Sequence, residues 1–153
     1  MSVVLKVLKW GVVLAVLGAV GFAVYVRVAP EDVADWHVDP ATITSYSTEN
    51  AFVLTPDGSV GVASKGYPMT PEVLAERFKE VALSSPRTEL LSEEGGFATY
   101  VQRSEIMAYP DYISVRAVEA EAGAALYVYS RSRFGRSDFG VNEARVLAWL
   151  NRL

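Results

Sequence analysis

YISVRAVEAEAGAALYVYSRSR, residues 112–133, decides the fold. Successive side chains on a strand point to opposite faces, and both halves of this stretch alternate around Ala122-Gly123, so it predicts an antiparallel hairpin. Placing Glu121 opposite Ala124 sets Ala117 against Val128, Val115 against Ser130 and Ile113 against Ser132. On the other face Arg116 meets Tyr129, Ser114 meets Arg131 and Tyr112 meets Arg133. Small and aliphatic side chains then gather on one face, leaving Tyr112, Ser114, Arg116, Tyr127, Tyr129, Arg131 and Arg133 on the other. Sliding by one residue would mix the two sets. One face is expected to be core and the other aromatic and cationic.

Working outward, residues 97–104 carry the aromatic and β-branched content of another strand, and Glu93-Glu94-Gly95-Gly96 before them reads as an exposed turn. Residues 51–54 and 59–63, joined by Thr55-Pro56-Asp57-Gly58, predict an opening hairpin. Thr70 followed by Pro71 starts a helix with Leu74, Phe78 and Val81 on its core side, and Ser84-Ser85-Pro86 ends it. Asn142 is expected to cap a closing helix whose Val146, Leu150 and Leu153 stripe returns to the sheet. Strands and helices mixed without a βαβ repeat predict an α+β domain with an antiparallel sheet and packed helices over residues 51–153.

The N-terminus is a different material. Seventeen consecutive uncharged residues, 10–26, reach about 25 Å as a helix, and Lys6, Lys9 and Arg27 flank them. Residues 1–29 are therefore read as a single-pass transmembrane anchor. The basic excess before the segment predicts a cytoplasmic N-terminus and a periplasmic domain on a bacterial inner membrane. The alternatives are a cleaved signal peptide, which Pro30 directly after Ala29 disfavours, and a buried core helix, which would be expected to show a polar face. Residues 30–50, with Pro30, Pro40 and the polar run 42–48, read as a stalk or an extended lead into the fold.

Removing the three flanking cations from the 14 basic residues leaves 11 against 18 acidic ones, which argues against nucleic acid as a partner. No cysteine is present, so disulfides, lipid attachment at cysteine and thiolate chemistry are excluded.

The densest polar run is residues 130–142, Ser-Arg-Ser-Arg-Phe-Gly-Arg-Ser-Asp-Phe-Gly-Val-Asn, with Arg145 following. Arg131 and Arg133, two apart on a strand, would present forked donors about 7 Å apart, a spacing suited to a carboxylate, phosphate or sulfate. Candidate binding residues are Arg131, Arg133, Arg136, Asp111, Asp138, Asn142 and Arg145. The competing reading makes Asp111, Asp138 and Glu143 internal partners that pin the loop before the last helix. Gly135 to Gly140 lacks the Lys-Ser/Thr of a phosphate loop, and Asp138-Phe139-Gly140 stands without a kinase catalytic loop. Ser137 lacks a nucleophile elbow, and His37 is the only histidine, so serine hydrolysis and zinc chemistry are not expected. No catalytic residue, metal or cofactor is assigned.

Together with Pro110-Asp111 and Trp149-Leu150, the Ser130 to Arg145 pattern resembles the family called domain of unknown function 1499, over roughly residues 40–153. The resemblance implies residence in a bacterial envelope or a plastid lumen and implies no reaction. Three functions stay open: a membrane-tethered module binding an anionic small molecule, lipid or envelope protein; a structural accessory subunit of an envelope complex; and an enzyme with a carboxylate site near Asp111 and Asp138.

Overall fold

A computed structural model describes residues 3–153. In chain order the elements are α1 Val3–Val28, α2 Val33–Trp36, a 3-10 turn at Pro40–Thr42, β1 Ala51–Thr55, β2 Val62–Ala63 and α3 Pro71–Leu83. They continue as β3 Thr88–Glu94, β4 Phe97–Arg103, β5 Pro110–Ala120, β6 Gly123–Ser132 and α4 Val141–Leu150. The strands form one mixed sheet in the order β2-β1-β6-β5-β4-β3. The fold is α+β: β3 to β6 form an antiparallel meander, β1 adds to the far side of β6, and α3 and α4 cover one face.

The β5–β6 hairpin forms with the expected division of faces, but two residues out of the expected register. Ala120 pairs with Gly123, so Tyr112 faces Arg131, Ser114 faces Tyr129 and Arg116 faces Tyr127. A shift of two preserves the side-chain alternation, which is why hydrophobic patterning cannot detect it. Gly123 sets the true register. It lies in the paired strand at φ +117, and residues 67–69 pass so close that a Cβ there would sit 2.5 Å from the Tyr67 carbonyl oxygen. Tyr67 and Ala124 exchange both backbone hydrogen bonds, at 2.8 and 2.9 Å.

The expected opening hairpin is not one. The Thr55–Gly58 turn is present, with Ser59 N–H donating to Asp57 Oδ1 at 3.0 Å. Beyond it the chain swings wide, and only Val62 and Ala63 return, running parallel to β1. Gly61 forces this route, because its α-carbon crosses Val53 so closely that a Cβ would lie 2.1 Å from the Val53 carbonyl oxygen. The antiparallel partner of β1 is β6. Strand β3 has no counterpart in the sequence reading. It is an edge strand of largely exposed, acidic residues, bulged between Leu90 and Ser92, and it turns into β4 through Gly95 and Gly96, both at positive φ.

Helix α3 matches expectation in start, stop and face. Thr70 accepts from Val73 N–H, Pro71 opens the first turn, and Leu74 and Phe78 are fully buried. Helix α4 begins after Gly140 rather than at Asn142, and its main core contribution is Trp149 with Val146. Phe78 meets Trp149 edge-on at 5.7 Å and Tyr100 at 6.0 Å, joining both helices to the sheet. Helix α1 is long and apolar enough to cross a membrane, with mean hydropathy 2.2 in its most apolar window. Its residues are exposed except for the half-buried Val13 and Ala23 and the buried Val26 near its end.

Phe78→Ala should cost about 3–5 kcal/mol by opening a cavity between both helices and the sheet. Urea unfolding of the variant should show a lower midpoint with an unchanged slope.

Candidate functional site

The seven candidate residues do not form one site, because strand parity puts them on opposite sides of the sheet. Asp111 shares a face with Ile113 and Val115, beneath the helices, whereas Arg131 and Arg133 point to the other face.

Under the helices, Asp111, Asn142, Arg145 and Asp138 make a closed network. Arg145 donates to Asp111 Oδ2 at 2.5 Å, to Gln102 Oε1 at 2.6 Å and to Asn142 Oδ1 at 2.8 Å. Both members of the Asp111–Arg145 pair are secluded, 14% and 7% exposed, so an ordinary solvated ion pair is the wrong description. Asn142, fully buried, accepts from Ser130 Oγ at 2.6 Å and donates to Ser132 Oγ, to the Asn50 carbonyl and to Asp138 Oδ2. Every amide atom has a partner, which ties β6, α4 and the segment before β1 together.

Asp138 is the functional cap of α4. Its Oδ1 accepts from Gly140 N–H at 3.0 Å and its Oδ2 from Asn142 N–H at 2.9 Å. Partial burial raises the carboxyl's pKa, but the Asn142 and Gly140 donors outweigh it and hold the group below its ordinary value.

The other face of the sheet is not an open cationic surface. Residues 31–39, which the sequence left as a stalk or a lead into the fold, lie across it as a strap. Trp36 stacks on Tyr112 with ring centroids 4.0 Å apart, and His37 stacks on Phe97 at 4.1 Å. Asp39 takes a forked pair of hydrogen bonds from Arg116, at 2.9 and 2.7 Å, and Glu31 accepts from Arg103 at 3.0 Å and from the Tyr112 hydroxyl. Burial, then the Glu31 hydrogen bond, pushes the Tyr112 phenol well above its usual range. For Asp39, burial is outweighed by Arg116, with help from the Ala41 N–H, and the carboxyl is lowered. His37 is therefore a structural ring, whose Nδ1 shares a hydrogen bond with Thr99 Oγ1 at 2.9 Å.

Arg131 lies beneath this strap, 7% exposed, and among the described residues no carboxylate meets it. Its guanidinium donates to the Trp36 carbonyl, to Ser114 Oγ and to the Tyr129 carbonyl, and lies over the Tyr129 ring at 4.4 Å. Burial lowers its pKa to about 10, so it stays charged at neutral pH. Arg133 donates to the Pro30 carbonyl at 2.7 Å and lies over the Trp36 and Phe134 rings. Arg136 stands in solvent, 3.8 Å from Glu49. Among the described residues, no cluster of His, Asp or Glu could hold a metal ion.

The sequence pointed to Arg116 and Arg131 but not to Arg103, nor to Asp39, Trp36 and Glu31, which engage the three in turn. Those strap residues lie 72 or more positions away from their partners, within a stretch that shows no strand or helix period. Two neighbouring concavities lie toward the end of the sheet away from α1, one of about 410 Å³ beside Thr70 and Glu119. The other is a cleft of about 400 Å³ floored by Tyr100, Val115 and Ala117 and rimmed by Glu72, Glu93 and Glu94.

A family model described as "Protein of unknown function (DUF1499)" matches residues 32–153. It thus begins within the strap, not at β1. No curated protein and no solved structure matches the chain.

Arg145→Ala should destabilise by about 3–5 kcal/mol, since it leaves Asp111 charged and unpaired in a secluded place, and chemical unfolding will measure it. Asp138 and Asp39, whose folded pKa values are lowered, contribute stability above their unfolded values and lose it as pH falls through the folded ones. Stability should therefore drop on acidification below about pH 4, and Asp138→Asn should flatten that dependence.

Proposed function

The chain belongs to the DUF1499 family, and from that premise we propose that it is a membrane-anchored interaction module of the bacterial envelope. In this reading α1 spans the inner membrane with its N-terminus in the cytoplasm, and residues 31–153 stand on the periplasmic side as a body clamped to the anchor. One observation carries the proposal: two of the motif arginines, Arg131 and Arg133, are turned onto the strap and hold the Trp36 and Pro30 carbonyls of the segment that leaves the membrane. A catalytic or anion-binding arginine needs an accessible donor, whereas these donors secure the connection between anchor and domain. Asp111 and Asp138 likewise accept from Arg145, Gly140 and Asn142, which suits construction better than acid–base work.

A clamped body presents its far end at a fixed height. From Pro110 to Val115 and Ala117, β5 at about 3.3 Å per residue carries the cleft bordered by Phe97 and Glu94 roughly 17–23 Å from the anchor-proximal end of the sheet. That cleft is the surface offered to an envelope partner, and the partner's positioning, not a reaction, is the output.

The absence of cysteine makes the topology directly measurable. Glu121→Cys, at the exposed β5–β6 turn, should react with a membrane-impermeant maleimide once the outer membrane is opened and with the inner membrane intact. Reaction only after full lysis would contradict the periplasmic placement. Protease added to the same preparation should spare residues 31–43 in the parent and cut them in Arg131→Ala; equal cutting in both would contradict the clamp.

A further inference from the structure

We infer that the anchor-proximal end of the domain is itself a lipid-contacting surface, formed by Ile106, Tyr109, Phe134 and Phe139, that sits in the outer leaflet beside α1. The inference rests on the reading that α1 spans the bilayer and goes beyond it, because a transmembrane tether alone would leave the domain wholly in water.

Helix geometry supplies the depth. Arg27 ends the uncharged stretch, and a guanidinium there belongs at headgroup level. Phe22 lies about 7.5 Å further into the membrane along the helix and Tyr25 about 3 Å. Phe134 packs edge-on against both rings at 6.2 Å, and Tyr109 contacts Phe22 at 6.2 Å and Phe134 at 5.9 Å. Two rings of the domain are thus held at the depth of helix residues that lie below the headgroups. Arg27 also donates to the Ile106 carbonyl at 2.9 Å, placing the loop between β4 and β5 at the level of the charge.

Exposure points the same way. Ile106 is 81% exposed and Phe139, in the loop between β6 and α4 at the same end of the sheet, is 94% exposed. Large apolar side chains so fully in water need a covering surface, and aromatic residues concentrate at the edges of bilayers. The uncharged stretch of α1 ends at Val26, and the aromatic ledge adds apolar surface beside its last turns. Arg136, exposed in the same loop, is placed to meet lipid phosphates.

The test is spin-label depth measurement on the full chain in phospholipid vesicles, with single labels at Ile106→Cys, Phe139→Cys, Leu17→Cys and Glu121→Cys. All four parent residues are exposed, so the fold should tolerate each label. Leu17→Cys reports the span and Glu121→Cys reports water. Collision with an aqueous nickel chelate should be several-fold lower at Ile106→Cys and Phe139→Cys than at Glu121→Cys, with oxygen favoured as at Leu17→Cys. If Leu17→Cys lies in lipid while either loop label is as water-exposed as Glu121→Cys, the lipid-contacting surface is overturned and the span stands. If Leu17→Cys is itself in water, the transmembrane reading falls and this inference falls with it.

Discussion

A guanidinium removed from water must be met by acceptors on the spot, and the buried Arg131 is the constraint around which one whole side of this protein is arranged. Among the described residues no carboxylate meets it; the Trp36 and Tyr129 carbonyls, the Ser114 hydroxyl and the Tyr129 ring take the place of water around the charge. One of those acceptors comes from a segment 95 positions earlier in the chain. Satisfying Arg131 therefore requires the strap to lie on the sheet, and the strap in turn seals the face that would otherwise expose Tyr112, Ser114 and Thr99. Tyr112 and Thr99 then each gain a strap partner, Trp36 and His37. Charge burial is a poor source of net stability, but it specifies geometry strongly because the alternatives are costly.

The opposite face obeys the same logic with different chemistry. There Arg145 does have its carboxylate, and Asn142 carries hydrogen bonds outward to β6, to the Asn50 carbonyl and to the Asp138 cap. The sheet is thus fastened on both sides by arginine, to α4 on one and to the strap that follows α1 on the other. A motif that looks like a single cationic site in one dimension is divided by the period-two alternation of β6 into two locks.

Much of this was legible in the sequence and some was not, for identifiable reasons. The apolar helix, the Thr70-Pro71 start of α3, its Leu74 and Phe78 face and the two-faced β5–β6 hairpin all follow from local periodicity, which the structure retains. The register error of two residues is invisible to periodicity and depends on how closely residues 67–69 approach Gly123. Strand β3 is hidden because an acidic edge strand needs no hydrophobic pattern. Asp111 and Arg131 fall on opposite faces in both the expected and the observed pairing, a separation that parity alone decides. The strap was legible only as a polar, proline-bearing segment, since what orders it is contact with residues far along the chain.

The segment that follows α1 is part of the folded body, and native-state hydrogen exchange on the full chain tests this most directly. The His37, Val38 and Thr42 amides, which donate to the Val33, Trp36 and Asp39 carbonyls, should exchange as slowly as amides of the β5–β6 hairpin. Exchange of those amides near the rate of an unstructured peptide, with the hairpin still protected, would contradict it and restore a flexible stalk.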